Sequence, residues 1–388
     1  MKLTDKENTS TYRIMKFTHP HYLRKNLVKK LRSSSMVSTL YYGLHIDDLL
    51  VAIGAGSYNR SLHKAIKKIN PDIVGDKASF AILKKDIKHS YYVCKANPEE
   101  YFLLGLADCD DEKRKSFVTD KFMYMTMGKY VSRKKHDTEI EDKYNFYQLA
   151  RKYFKREVMK VCDSSSFDEF VQMALRVQDL ILKPLDAAMG AGIFAVSIKS
   201  KEDAKSVFDS LVTKGGSWIV EQKIKQSETM AVWNDSSVNT VRFHSFNNKM
   251  TGFHTMKPFL RTGRKGYVVD NAGSGGVFAN VDVETGCLST CGIDEKGRRY
   301  ECHPDSGVKF KGWQIPRYDE LVATVKEMHL TVMPDHPYIG WDMALTDEGW
   351  VVIECNWGQL VNQYADHMGL KKEFMEYLTG KIGILTNN

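Results

Sequence analysis

Segment 340–356 reads Gly-Trp-Asp-Met-Ala-Leu-Thr-Asp-Glu-Gly-Trp-Val-Val-Ile-Glu-Cys-Asn, two apolar runs around a polar turn. Glu354 and Asn356 are two apart and share one face of a strand. A three-residue turn, Asp347-Glu348-Gly349, with Gly349 in the left-handed region, sets Asp342 opposite Glu354. Two like charges in an apolar setting disfavour each other strongly unless a cation sits between them. Asp342, Glu354 and Asn356 offer oxygen donors only. Such a set suits Mg²⁺, which bridges a few carboxylates to substrate phosphates. A different register would send the acids to solvent, but Trp341, Met343, Ile353, Cys355 and Trp357 around them argue for burial.

Three further constellations carry chemistry. Lys183 closes the apolar run Leu180-Ile181-Leu182 and is followed by Pro184 and the small-residue loop Asp186–Gly192. A lysine at the end of a buried strand is costly unless it meets an anion. Small residues after it let backbone N–H groups approach phosphate oxygens. A plain hairpin turn reads the same way, and the GK[ST] of a P-loop is absent. Trp218-Ile219-Val220-Glu221-Gln222-Lys223-Ile224 is an apolar strand that can present backbone groups and a carboxylate to an adenine edge, or simply a strand leaving the core. Arg242, in Asn239-Thr240-Val241-Arg242, suits bidentate grip of a carboxylate or phosphoryl group. The loop Asp270–Gly276 is donor-rich and suited to covering an anion; its bland reading is a turn.

The elements that must position these residues are α+β. Residues 1–135 read mainly as helices, with a capped helix start at Cys109-Asp110-Asp111-Glu112 and cap signals at 97–101. Beyond about 135 an aromatic-rich helix spans Asp142–Phe154. Strands follow at Asp179–Lys183, Ile193–Ile198 and Trp218–Gln222, and a helix at Glu202–Lys214 with a capping box at Ser200 and Asp203 and a stop at Gly215-Gly216. One hairpin is expected over Thr240–Phe246 and Met250–Met256 about Asn247-Asn248, and a second over Ile339–Leu345 and Trp350–Cys355, with a helix at Asp319–Leu330 between them. That order predicts antiparallel sheets rather than a βαβ series. The boundaries fall at 1–135, a helical basic region; 136–225, a nucleotide-binding part; and 226–388, the part with the metal and acceptor site.

Composition narrows the class. The chain has 388 residues, 43% of them apolar and 27% charged, a globular balance with no low-complexity tract. No run approaches the length of a membrane span, and the N-terminal residues lack an apolar secretory core. Seven cysteines, odd in number and thinly spread, predict a reducing, cytoplasmic setting rather than a disulfide scaffold. Residues 1–32 hold nine Lys and Arg against two acids, a net +7, so the remaining 356 residues carry only +1 of the total +8. Leu23, Leu27, Val28 and Leu31 lie at helical spacing among those cations. Such a helix can meet an anionic surface at the inner face of a membrane, or a lipid-linked sugar, or pack its apolar side on the protein. Nothing resembles a nucleic-acid-binding module. Gly54-Ala55-Gly56 lacks the third glycine of a dinucleotide fingerprint. Cys287, Cys291, Cys302 and His303 lack the paired spacing of a zinc site. His329 and His336 are expected at the surface, and no Ser/His/Asp or Cys/His triad can be placed.

The order is specific when taken whole: Asp142-Lys143 opening a helix, a strand into Lys183-Pro184 and its loop, Val220-Glu221-Gln222, Asn239-Thr240-Val241-Arg242, then Asp342 and Glu354-Cys355-Asn356. It resembles the ATP-grasp superfamily, and in detail the sugar-transfer-associated ATP-grasp group, linked to cell-surface polysaccharide synthesis. Asn97–Phe102 and Arg114–Thr119 also look like that group, so the resemblance covers about residues 95–370. It implies an ATP held between two α+β subdomains, with Lys143 and Lys183 on its phosphates. It further implies Glu221 and the backbone of Gln222–Ile224 at the adenine and Glu228 at the ribose. Mg²⁺ would lie on Asp342, Glu354 and Asn356, and Arg242 on an acyl-phosphate and tetrahedral intermediate. The implied activity is a carboxylate–amine ligase, its carboxylate or amine partner a uronic acid or an amino acid in glycan decoration. A kinase of a sugar or lipid hydroxyl, or a silent nucleotide-binding scaffold, are the alternatives.

Overall fold

The computed structural model describes residues 62, 63, 65, 66, 76–185, 192–266, 275–294, 297–358 and 360–383. The basic segment 1–32, Gly54-Ala55-Gly56, residues 186–191 of the small-residue loop and 270–274 of the donor-rich loop lie outside them.

Two antiparallel sheets carry the chemistry. The first runs β1 (Val158–Val161), β4 (Trp218–Gln222), β2 (Asp179–Pro184), β3 (Phe194–Ser197) in spatial order. The second runs β11 (Gly349–Asn356), β10 (Tyr338–Thr346), β5 (Thr240–Asn248), β6 (Gly252–Thr262), β7 (Val277–Asn280), β8 (Gly292–Asp294), β9 (Arg299–Tyr300). Six helices matter here: α1 (Lys77–Cys94), α2 (Lys143–Phe154), α3 (Phe167–Val177), α4 (Lys201–Lys214), α5 (Tyr318–Thr331) and α6 (Lys371–Thr379).

Local chemistry starts and stops the helices. The Asp142 side chain accepts from the N–H groups of Tyr144 and Asn145, which fixes where α2 begins and so where Lys143 points. Ser200 and Asp203 form the expected reciprocal capping box on α4. The same device at Asn97 and Glu100 starts the short helix Pro98–Leu103. The first sheet packs Leu180, Leu182 and Val220 on Phe170, Ala174 and Phe208 of α3 and α4. The second sheet builds the larger core on Trp341, Phe243, Phe246 and Val352, closed by Leu321, Val325 and Met328 of α5 and Phe374 of α6. The N-terminal helices cover its other end, at Phe259, Phe278 and Ile293.

Four sequence expectations are corrected. Strand β1 and helix α3 were not foreseen. The β5–β6 turn lies after Asn248, at 249–251, rather than at Asn247-Asn248, because both strands pair as far as Asn248 and Gly252. The β10–β11 turn has two residues, Asp347 and Glu348, with Thr346 opposite Gly349. His329 and His336 are fully buried, not at the surface. His329 lies on the inward face of α5, where Nδ1 meets Ser245 Oγ and Nε2 meets the His336 carbonyl, each at 2.7 Å. His336 reaches Glu139 at 2.8 Å. Burial lowers the pKa of both.

Candidate active site

The site is built across three neighbouring strands. Asp342 on β10 stands opposite Arg242 on β5 and opposite Glu354 on β11. The pairing with Glu354 arises from a two-residue turn plus a bulge. Without it, the two-residue turn would bring Ile353 opposite Asp342. The ladder slips between Asp342 and Met343, so Met343 pairs with Val352 and Asp342 with Glu354.

Arg242 is buried and grips Asp342 with both arms, Nε to Oδ1 and Nη2 to Oδ2, while Nη1 donates to Asn356 Oδ1 at 2.9 Å. Arg261 on β6 adds a bond to Asp342 Oδ2 at 3.0 Å. Of the five N–H donors of Arg242, three are engaged, which leaves one on each Nη nitrogen for a further oxygen. Burial opposes ionisation of Asp342, but the Arg242 and Arg261 guanidiniums outweigh it and hold its carboxyl well below the usual range. Glu354 goes the other way: burial, then the Asp342 charge, raise its pKa. Asp342, Glu354 and Asn356 offer oxygen donors only; Arg242 and Arg261 already use part of that capacity, and Mg²⁺ fits the lone pairs that remain, where it would relieve the repulsion between the two carboxyls. Among the described residues no cluster of three or more His, Cys, Asp or Glu forms a metal site, so the zinc set is not assembled.

A second cluster of charges sits on the first sheet. Lys183 Nζ lies 2.7 Å from Glu221 Oε1, and Arg156 holds Glu221 Oε2 at 2.7 Å and 3.0 Å. The Glu221 carboxylate, expected at an adenine edge, is therefore turned inward between two cations and is 4% exposed. Burial opposes its ionisation, yet Lys183 and Arg156 together bring its pKa down to about 2. Arg156 also donates to the carbonyls of Phe154 at 3.1 Å and Val352 at 2.8 Å, so it ties β4 to β11 and one sheet to the other. The Lys183 charge in turn reaches Glu354. Arg156 and Arg261 were missed from sequence. Neither sits in a distinctive motif, and each acts on residues far away in the chain.

The remaining expected residues are dispersed around this pair of clusters. Lys143 opens α2 and its Nζ donates to the Leu185 carbonyl at 3.3 Å, at the start of the loop after β2. At the end of β4 and just past it, the N–H groups of Gln222 and Lys223 donate to the carbonyls of Glu157 and Asp179. Ile224 is half-buried in the connection that follows, and Glu228 is exposed at the start of the short helix Glu228–Ala231.

The sequence profile of the sugar-transfer associated ATP-grasp family matches residues 126–377, more than half of the chain. The chain belongs to this family. Its mixed helices and antiparallel sheets are the ATP-grasp fold. No curated protein matches this ATP-grasp chain by sequence. Among solved structures it is similar to a D-alanyl-alanine synthetase A from Vibrio cholerae O1 biovar eltor, at 13% identity and TM-score 0.39, over 62% of this chain and 65% of that one. It is also similar to the ATP-grasp ligase PsnB bound to a minimal precursor, Mg and ADP, at 12% identity and TM-score 0.38, over 64% and 62% of the two chains. An L-amino acid ligase from Bacillus licheniformis is similar at 11% identity and TM-score 0.37, over 62% and 48%. The ATP-grasp chain thus spans less than two thirds of the length of each of these. No described helix is long and apolar enough to cross a membrane.

The Lys183 ammonium gives a first test. Lys183→Ala is expected to weaken nucleotide binding at least about tenfold, the loss of one charge-assisted contact. Titration with a fluorescent ATP analogue reads it. Unchanged affinity would confine Lys183 to its pair with Glu221.

Proposed function

We propose that this chain is an ATP-dependent ligase that activates a carboxylate as an acyl-phosphate and joins it to an amine, with release of ADP and phosphate. The observation that supports this reading is the row Arg242–Asp342–Glu354, with Asn356 beside it, in electrostatic reach of Lys183. In this reading residues 136–225 hold the nucleotide and residues 226–388 carry the metal and acceptor site, after a helical region over 1–135. Lys143 and Lys183 bind phosphate oxygens. The backbone of Gln222 to Ile224 faces adenine, and Glu228 the ribose. Glu221 orients Lys183 from behind rather than touching the base. Asp342, Glu354 and Asn356 hold Mg²⁺, which when bound supplies neutralisation of phosphate charge.

Arg242 then has a defined task. Its two uncommitted N–H groups point a fixed positive fork at the oxygen on which charge grows as the amine adds, and such preorganised donors are a large source of rate. The anion that leaves is phosphate. The family description suggests that the acceptor chemistry belongs to polysaccharide or glycan decoration, with a uronic acid or an amino acid as one reactant, in the cytoplasm. Residues 1–32 would bring the enzyme to an anionic membrane surface or a lipid-linked sugar.

The reading is tested with hydroxylamine. A screen of uronic and amino acids with ATP, Mg²⁺ and hydroxylamine is expected to yield a hydroxamate, ADP and phosphate. A stable phosphorylated alcohol with no hydroxamate would make the protein a kinase. Nucleotide binding without turnover would make it a scaffold, and AMP with pyrophosphate would exclude the acyl-phosphate route.

A further inference from the structure

Beyond Asn356 the chain enters an aromatic cluster that the ligase reading does not use. Trp357 is 5% exposed, with the His136 ring 3.9 Å from its own and the Tyr124 ring edge-on at 5.9 Å. The cluster opens to solvent on one side, where Tyr124 is 37% exposed and the Glu141 side chain 55%. Two buried polar atoms in it have no hydrogen-bond partner, Trp357 Nε1 and His136 Nε2. His136 Nδ1 lies 3.4 Å from Asp137 Oδ1. Nε2 faces Glu141 Oε1 at 3.6 Å, beyond hydrogen-bond distance. Asp137 is shared with Arg133, but Glu141 meets no Lys or Arg at ion-pair distance among the described residues. The Glu141 carboxylate, with no Lys or Arg beside it among the described residues, suits a cationic donor, and the buried indole N–H calls for an acceptor. The Tyr124 hydroxyl feels both Glu141 and Arg242, after burial the charges that act on it with Asp120, so this cluster and the catalytic arginine share one neighbourhood.

We propose that Tyr124, His136, Glu141 and Trp357 form the subsite for the amine substrate, a primary ammonium that carries an oxygen acceptor a few bonds away. This rests on the ligase reading above. The ammonium donates to Glu141 beside the His136 ring, and the exposed Tyr124 face covers it, as aromatic faces attract cations. The Trp357 indole donates to the ligand's oxygen. Amino sugars and amino acids share this chemistry, and an amino sugar adds a ring that packs on Tyr124. The residues come from the segment 124–141 and from the position just after β11, so the subsite adjoins Asn356 and the two uncommitted donors of Arg242.

The test uses the ¹⁵N-labelled full chain and follows the indole N–H resonance of Trp357, identified by its loss in Trp357→Phe. Glucosamine, alanine and ethanolamine are titrated beside glucose and lactate, which lack the ammonium. The expected result is that amines shift this resonance, that glucose and lactate do not, and that Glu141→Gln raises the amine Kd about tenfold or more. Glu141 is exposed, so that variant folds. A response to glucosamine alone assigns an amino sugar, and to alanine alone an amino acid. The inference is overturned if no amine moves the resonance or if Glu141→Gln binds as the parent does. Hydroxamate formation by the parent protein decides the ligase reading separately, because hydroxylamine takes the place of the amine.

Discussion

Asp342→Ala is expected to remove turnover and to lower stability by about 3–5 kcal/mol, the cost of leaving a buried charge without its partner. Arg242 and Arg261 both close on Asp342, and the substitution takes that shared carboxylate from two guanidiniums at once. Glu354→Gln should behave differently. Turnover falls by more than about a hundredfold, because a ligand of the ion that neutralises phosphate charge is weakened, but stability holds or rises, because a neutral isostere ends the repulsion with Asp342. The sign follows from the direction of the shift. Burial and Asp342 raise the folded pKa of Glu354 above its ordinary 4.5. Ionising it therefore costs folding energy, absent below pH 4.5 and growing as pH climbs from there to the raised value. Parent protein should lose stability over that climb, and Glu354→Gln should lack that component. Urea unfolding midpoints across pH, with ATP turnover alongside, read both effects. Equal destabilisation by the two variants would mean that Glu354 is held by a favourable partner instead.

Glu221→Gln is expected to produce the second large effect, again about 3–5 kcal/mol, because Arg156 and Lys183 keep their charges in a buried place. Its pH signature is opposite to that of Glu354. The carboxyl of Glu221 is brought down from 4.5 to about 2. It therefore contributes about 3 kcal/mol above pH 4.5, lost as pH falls toward 2. Removing the carboxylate should flatten that acid limb, measured by urea unfolding between pH 2 and 6. An unchanged limb would show that the Glu221 pairs add nothing to stability and that the sheets are joined by packing and the Arg156–Val352 hydrogen bond.

The pairing of Asp342 with Glu354 was legible in the sequence, yet the turn that produces it was not. A three-residue loop and a two-residue loop with a bulge at Ile353 give the same partner, and alternation cannot tell them apart. Capped helices such as α2 and α4 were legible because their signals are local. Strand β1 was not, since Val158–Val161 is four residues long and is held by β4, some sixty residues later. Arg156 could not be found for the same reason. Its bonds to Glu221 and Val352 span 65 and 196 positions, and no spacing rule reaches so far. The inward turn of Glu221 depends on Arg156, so the two were missed together. His329 and His336 are polar residues expected at the surface, whereas the face of α5 that carries Val325 and Met328 also carries His329 into the core.

The central claim is an acyl-phosphate intermediate, and oxygen transfer tests it most directly. With a turned-over carboxylate labelled in both oxygens with ¹⁸O, the account predicts that each phosphate released carries one ¹⁸O, because the bond broken by the amine is the one from the acyl carbon to the bridging oxygen. Phosphate without ¹⁸O alongside amide product would contradict it.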